Sequence, residues 1–354
     1  MKIAVYAIAL NEAQHVEMWY SSAKDADTIL ICDTGSTDNT AYLENTKHHL
    51  HYISVRPWRF DHAREAALAL IPADIDVCIA LDMDEELAPG WRDALERAWK
   101  PGTTRLRHPF AFRHDAAGKP SQVMYGHRIH GRHDYYWRYP IHEALSFKGT
   151  RQERIEWCDD LWIHHRPAPK PTRANYLPML AKAAADDPAC DRMAFYHARE
   201  LMYVARHAEA VAEFRRYLGL PTATWDEQRA EAMRYIGRCL TAIADPKGAA
   251  AWFMRAALEC PRSRQAWVEL AESRRAMEDW LGGAWAATQA MACEMPRGEL
   301  YDVRQLTAGP YDIGGVCAYY AGLKDKAAEW LQRAAELCPD DPRINANLKF
   351  ITPA

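Results

Sequence analysis

The chain has no apolar run long enough to cross a bilayer, which excludes a membrane-spanning helix as its organising element. It opens with no charged-then-apolar leader, so secretion is not indicated and a cytoplasmic location is expected. It has no CxxC pair. The nine cysteines (Cys32, Cys78, Cys158, Cys190, Cys239, Cys260, Cys293, Cys317 and Cys338) are scattered, odd in number and mostly in apolar contexts. They read as small core residues of a reduced protein, and neither a disulfide framework nor a structural zinc site is indicated. No large charge excess exists either: 44 Lys and Arg stand against 48 Asp and Glu, a net charge of −4. Bulk attachment to nucleic acid is therefore not expected, although a local basic patch would still allow such a partner. A glycine-rich basic phosphate loop is missing near the N-terminus, which argues against a nucleotidyltransferase. With 354 residues, two domains are expected rather than one.

Apolar segments alternate with amphipathic ones through the first hundred residues. Residues 2–10 read as a buried strand that ends in Asn11-Glu12. Val16, Trp19, Tyr20 and Ala23 recur at helical spacing. A second strand, residues 28–32, runs into Asp33-Thr34-Gly35-Ser36-Thr37-Asp38, where Gly35 permits a tight turn and the hydroxyl and carboxyl side chains offer helix caps. A third strand is read at residues 52–55. Phe60-Asp61-His62-Ala63-Arg64 then opens a helix, which places Arg64 near an N-terminus that favours anions. The fourth strand, Val77-Cys78-Ile79-Ala80-Leu81, ends in Asp82-Met83-Asp84-Glu85-Glu86. This βαβ series implies a parallel sheet, and ligands of such sheets sit beyond the carboxyl ends of the strands. Alternation along an extended chain would put Asp82 and Asp84 on one side, where two carboxylates suit a hard divalent cation that also grips phosphate. The plainer reading of this stretch is an acidic turn that binds nothing.

Further strands are read at residues 103–113, 122–130, 135–139 and 144–147, followed by a last one at residues 161–166 that ends in His164-His165-Arg166. Among them His142-Glu143 follows Tyr135-Tyr136-Trp137-Arg138-Tyr139-Pro140, an aromatic-basic run suited to stacking against a sugar. Its plainer reading is an ion pair between Glu143 and Arg138.

The order Asn-Glu, Asp-Thr-Gly-Ser-Thr-Asp, a helix-opening arginine and Asp-Met-Asp resembles glycosyltransferase family 2, with its GT-A fold. The resemblance implies that Asn11, Glu12, Asp33 and Arg64 contact the nucleotide. It implies that Asp82 touches ribose or the metal shell, and that Asp84 holds a Mn2+ or Mg2+ bridging the diphosphate. Glu65 stands where relatives often carry asparagine, so any asparagine contact is lost. His142-Glu143 resembles the His-Glu element of the subset that includes bacteriocin S-glycosyltransferases, which implies Glu143 as the base and His142 beside it. His164 or His165 would complete the metal shell, with His164 the better match, and Arg166 would assist the departing diphosphate. The donor would be a nucleotide diphosphate sugar, UDP-sugar favoured. The acceptor would be a hydroxyl or thiol, and the anomeric centre would be inverted.

Pro167-Ala168-Pro169-Lys170-Pro171 marks the boundary, giving domains 1–166 and 167–354. Beyond it strands give way to alanine-rich helical units, each followed by a proline (Pro221, Pro261, Pro296, Pro339) at intervals near forty residues. Three to four degenerate tetratricopeptide-like units are expected, so the fold class is α/β followed by all-α. Such a solenoid would present a peptide or protein partner. The other readings are action on modified DNA bases or glycans, and a dead transferase domain serving as a repeat scaffold.

Overall fold

The structure, a computed structural model, describes residues 1–41, 48–168, 176–298 and 300–351. It divides into two compact units, Met1–Pro171 and Thr172–Ala354. The proline-rich break at residues 167–171 lies partly outside the described residues.

The first unit contains β1 (Ile3–Ala9), α1 (Val16–Ala23), β2 (Thr28–Asp33), β3 (His48–Tyr52), α2 (Phe60–Leu70), β4 (Val77–Ala80), β5 (Glu85–Leu87) and α3 (Trp91–Ala98). It continues with β6 (Arg105–His114), β7 (Pro120–Gly131), β8 (Tyr135–Arg138), β9 (Ala144–Phe147), β10 (Ile155–Trp157) and β11 (Ile163–His165). The main sheet runs β3-β2-β1-β4-β7-β6-β11-β5, with β10 beside β6; β8 and β9 form a separate hairpin. β3, β2, β1 and β4 are parallel, and β7 joins β4 antiparallel.

Side-chain alternation sorts the core into two layers. Ile3, Val5, Ala7, Ile29, Ile31, Val77, Ile79 and Leu81 face one side, packed with Val16, Trp19 and Ala23 of α1 and Trp91, Ala94 and Leu95 of α3. Ala4, Tyr6, Leu30, Cys32, Cys78 and Ala80 face the other, packed with Ala67 and Leu68 of α2 and Tyr135, Trp137 and Leu145 of the hairpin. Residues of even number at the end of β4 therefore continue toward α2.

The third strand is corrected from residues 52–55 to His48–Tyr52, an edge strand whose sequence, HHLHY, carries little apolar signal. β5 and β10, three residues each and partly acidic, were not anticipated.

The second unit contains α4 (Tyr176–Asp186), α5 (Asp191–Tyr203), α6 (His207–Leu218), α7 (Asp226–Ala242), α8 (Pro246–Glu259) and α9 (Arg264–Ala276). It continues with α10 (Trp280–Ala292), α11 (Val303–Thr307), α12 (Gly309–Tyr320), α13 (Lys324–Leu337) and α14 (Pro342–Ile351). The repeat is written in the backbone. Ala205, Ala244, Glu278 and Gly322 are left-handed, with φ of 58°, 60°, 60° and 81°. Each closes the first helix of a pair. The following residue's N–H returns five positions, as in Arg206 to Leu201, Asp245 to Leu240, Asp279 to Arg274 and Leu323 to Ala318. This is the Schellman motif repeated four times, and it defines the pairs α5/α6, α7/α8, α9/α10 and α12/α13. Paired helices approach closely: a Cβ on Gly237 of α7 would lie 2.6 Å from the Phe253 ring of α8. The prolines seen in the sequence follow the second helix of each pair, where the chain cannot continue helical. Helices α5, α7, α9, α12 and α14 also touch one another in succession and form one layer.

Three of the four left-handed turns use residues with a Cβ, which costs about 1–2 kcal/mol against glycine, partly offset by glycine's greater chain entropy. Ala205→Gly, Ala244→Gly and Glu278→Gly are each expected to stabilise the protein by about 0.5–1 kcal/mol, read as a raised urea midpoint at unchanged slope. A lowered midpoint in all three would contradict the turn geometry.

A charged cluster at the carboxyl edge of the sheet

Chain order places β2 and β4 on opposite sides of β1, so the strand order reverses at the β1/β4 junction. The polar residues gather at this edge. Arg64, in the first turns of α2, is 5 % exposed. Its Nη2 donates to Asp82 Oδ1 at 2.6 Å and its Nε to Glu143 Oε1 at 2.5 Å, and its guanidinium lies 4.9 Å from the Trp137 ring. Arg128 of β7 donates to the other oxygen of Asp82 at 2.7 Å, and also to Glu85. The Asp82 N–H donates to Glu85 Oε2 at 2.9 Å. Two guanidinium groups thus face three carboxylates, one negative charge in excess.

Burial would raise the Asp82 carboxyl, but Arg64 and Arg128 outweigh it and hold Asp82 below the usual carboxylate range. Glu85 goes the other way: burial pushes it up, and the neighbouring Asp82 charge adds to that in spite of Arg128.

Asp84 departs from Asp82. The strand ends at Ala80, and residues 83 and 84 form a turn, so alternation no longer holds the two carboxylates together. Met83 is buried in the core. Asp84 Oδ2 lies 3.4 Å from His165 Nε2, and the Asp84 carbonyl accepts from the Arg166 N–H at 2.7 Å. Burial would lower His165, but the Asp84 carboxylate reverses this and raises it. His164, expected in the metal shell, has a different neighbour. Its Nδ1 lies 2.9 Å from His114 Nε2, and burial, with Arg166 nearby, lowers both rings. Asp82, Asp84 and His164 do not converge, and among the described residues no three His, Cys, Asp or Glu side chains form a metal-holding group. Asp84 and His165 together supply two donors, which suits only a cation that takes its remaining ligands from phosphate and water.

The other expected residues build the loop after β2. Asn11, left-handed at φ 56°, accepts from the Thr37 N–H at 2.8 Å and donates its own N–H to Ser36 Oγ at 2.9 Å. Glu12 Oε2 lies 2.9 Å from His15 Nδ1. Asp33 is 1 % exposed. Its Oδ1 accepts from the N–H groups of Gly35 and Ser36, both at 2.7 Å, while Oδ2 is buried with no hydrogen-bond partner among the described residues. Arg64 Nη1 is likewise buried without such a partner. Arg166 pairs with Glu86 at 3.1 Å, both partly exposed. His142, at φ 51°, sits in the connection between β8 and β9. Glu143 pairs with Arg64 rather than with Arg138, whose guanidinium lies over Tyr139. Arg128 was missed; the signal available was its even-numbered place beside His130 on β7, a strand next to β4.

No family model matches the chain, and no curated protein matches it. Several solved structures are similar to part of it. YrrB, a TPR protein with an unusual peptide-binding site, is 16 % identical with a TM-score of 0.39, over 50 % of this chain and 83 % of YrrB. MamA is 16 % identical with a TM-score of 0.38, over 46 % of this chain and 81 % of MamA. PilF of Pseudomonas aeruginosa is 15 % identical with a TM-score of 0.38, over 48 % of this chain and 70 % of PilF. The expectation of a glycosyltransferase is corrected here: these neighbours are of the tetratricopeptide-repeat type and none is a glycosyltransferase. No helix among the described residues is long and apolar enough to cross a membrane.

Removing Arg64 would leave Asp82 and Glu143 without one of their counterions in a largely buried setting. Arg64→Ala is expected to cost about 3–5 kcal/mol in urea unfolding. Arg166→Ala, which breaks a partly exposed pair, is expected to cost under about 1 kcal/mol. Equal losses would contradict the central place of Arg64.

Proposed function

We propose that the chain is a binding protein with two ligand surfaces: the sheet edge takes a nucleoside diphosphate, bare or carrying a sugar, and the repeats take a peptide segment of a partner. On this reading the first unit uses the nucleotide-sugar edge expected of a GT-A fold for binding, and the repeats serve as a scaffold. The observation that carries the first half is the pair of buried, unpartnered polar atoms at one sheet edge, Asp33 Oδ2 and Arg64 Nη1. Each such group costs about 1–3 kcal/mol, a cost that a ligand reaching it would relieve. Asp33 and Asp82 end the strands on either side of β1, and that reversal point is where open α/β sheets take ligands. Asp33 would accept from a base or ribose, and Arg64 would donate to phosphate. Mn2+ or Mg2+ would sit on Asp84 and His165, with phosphate oxygens and water filling the other positions. The second half is supported by the touching layer of α5, α7, α9, α12 and α14, since in a curved stack the closely spaced layer is the inner one.

Calorimetry with UDP, GDP and ADP, with and without Mn2+, tests the sheet edge. One of the three is expected to bind. Asp33→Asn is expected to weaken binding under both conditions, and Asp84→Asn to abolish only the gain from Mn2+. No binding of any nucleotide by the intact protein would overturn the first half. A peptide array probed with the full chain tests the second half, which fails if no peptide is retained.

A further inference from the structure

Where β6 meets β11, two imidazoles of the first unit face each other. His114 Nε2 lies 2.9 Å from His164 Nδ1, with the ring centroids 5.1 Å apart and the planes tilted by 35°. Strand alternation alone would not bring them together. β11 runs parallel to β6 with His164 opposite Ala111, so these two share a face. Phe112 lies on the other face, where it stacks on His165. Continued by twos, the period would put Arg113 beside His164 and His114 beside Phe112. The pairing of β6 with β7 is shifted on both sides of Arg113, first between Ala111 and Arg113 and again between Arg113 and His114. The period is broken there, and His114 comes to lie against His164 instead. Irregularities of this kind re-aim a side chain and are over-represented next to sites.

A carboxylate stands on the same face. Glu86 of β5 is directly opposite His164 in the antiparallel β5/β11 pair. Its Oε2 accepts from Arg166 Nε at 3.1 Å, in a pair that is partly exposed on both sides. The Glu86 charge acts on both imidazoles. Trp162, two residues before His164, stacks on its ring with centroids 6.1 Å apart and planes 19° apart, which fixes the ring's direction.

Two imidazole nitrogens at this separation share one proton in a hydrogen bond. A tetrahedral metal ion about 2.0–2.1 Å from each nitrogen would hold them about 3.3–3.4 Å apart. The nitrogens would part by about half an ångström to admit it, and Glu86 would turn from Arg166 to become the third donor. Imidazole suits Zn2+, Ni2+ or Cu2+, whereas Mg2+ and Ca2+ take oxygen ligands.

We infer that His114 and His164, with Glu86, form a site for a divalent transition metal of the Zn2+ class, completed by water. An ion there would pin the end of β6 to β11 and β5. The site is separate from the Mn2+ or Mg2+ position on Asp84 and His165, because adjacent residues of β11 point to opposite faces. It does not depend on the nucleotide or peptide reading.

The test is calorimetric titration of the full chain with Zn2+ in the presence of a large excess of Mg2+. One equivalent of Zn2+ is expected to bind in spite of the Mg2+. His114→Gln and His164→Gln are each expected to weaken it by about a hundredfold, and Glu86→Gln by about tenfold. Arg166→Ala releases Glu86 and removes a nearby cation, so it is expected to tighten binding a few fold. Circular dichroism checks that each variant is folded. Absence of Zn2+ binding overturns the inference, as do displacement of Zn2+ by Mg2+ and unchanged affinity in both histidine variants. Zn2+ binding that survives His114→Gln but is lost in Asp84→Asn places the ion at the sheet edge and also overturns it. Weaker binding in folded Arg166→Ala removes Glu86 from the site and overturns the three-donor assignment.

Discussion

The first unit depends on a buried guanidinium. Arg64 enters from α2, on one face of the sheet, and joins the end of β4 to the segment after β8 through Asp82 and Glu143. A charge so placed is tolerated only because each neighbour completes it, and Asp82 in turn needs Arg128 to balance its second oxygen. The side-chain period of two decides who can take part. Tyr6, Ala80, Asp82 and His130 share the α2 face, whereas Met83 falls into the core on the other side. Asp84, beyond the strand, is free of that period and meets β11 instead.

This arrangement also accounts for what the sequence could and could not tell. The strands β1 and β4 are unbroken apolar runs, β2 is apolar from Ile29 to Cys32, and the helix after Phe60 shows its period plainly, so the βαβ order was legible. β3 was displaced because three of its five residues are histidines, and an edge strand needs only Leu50 to anchor it. The residues of the cluster were mostly named, but not their partners. Arg64 and Glu143 are 79 positions apart, and nothing local in either segment announces the other. Arg128 stands in a run that alternates histidine with aliphatic and basic residues, where no period separates a site residue from a solvated one. The choice between His164 and His165 was open because it is set by register. β11 pairs antiparallel with β5, His165 opposite Glu85 and His164 opposite Glu86, and this directs adjacent imidazoles to opposite faces. The order of motifs implied a transferase; in the fold, Glu143, the base implied by that order, is held by Arg64.

In the second unit the informative feature was spacing rather than chemistry. Prolines at intervals of about forty residues marked the ends of helix pairs, but the turns inside the pairs were invisible, because three of the four left-handed positions are Ala or Glu instead of glycine. Close packing of α7 on α8 is obtained from Gly237, not from a motif at the turn. The layer formed by the first helices of each pair was likewise unreadable. A stripe such as Arg192, Tyr196, Arg199 and Tyr203 looks like any solvated helix face until the neighbouring helix is placed beside it.

The two units treat arginine in opposite ways, and the contrast bears on how each would take a ligand. At the sheet edge Arg64 already holds two carboxylates and keeps the donors of Nη1 unmet among the described residues. An anion arriving there adds to a built network, so the network sets its position closely and adjusts little, and the cost of ordering Arg64 is met during folding. On the repeats Arg199 lies against the Tyr196 and Tyr203 rings, with Tyr235 and Glu231 of α7 nearby. The ligand proposed for the sheet edge follows from that built network: a compact anion of defined geometry.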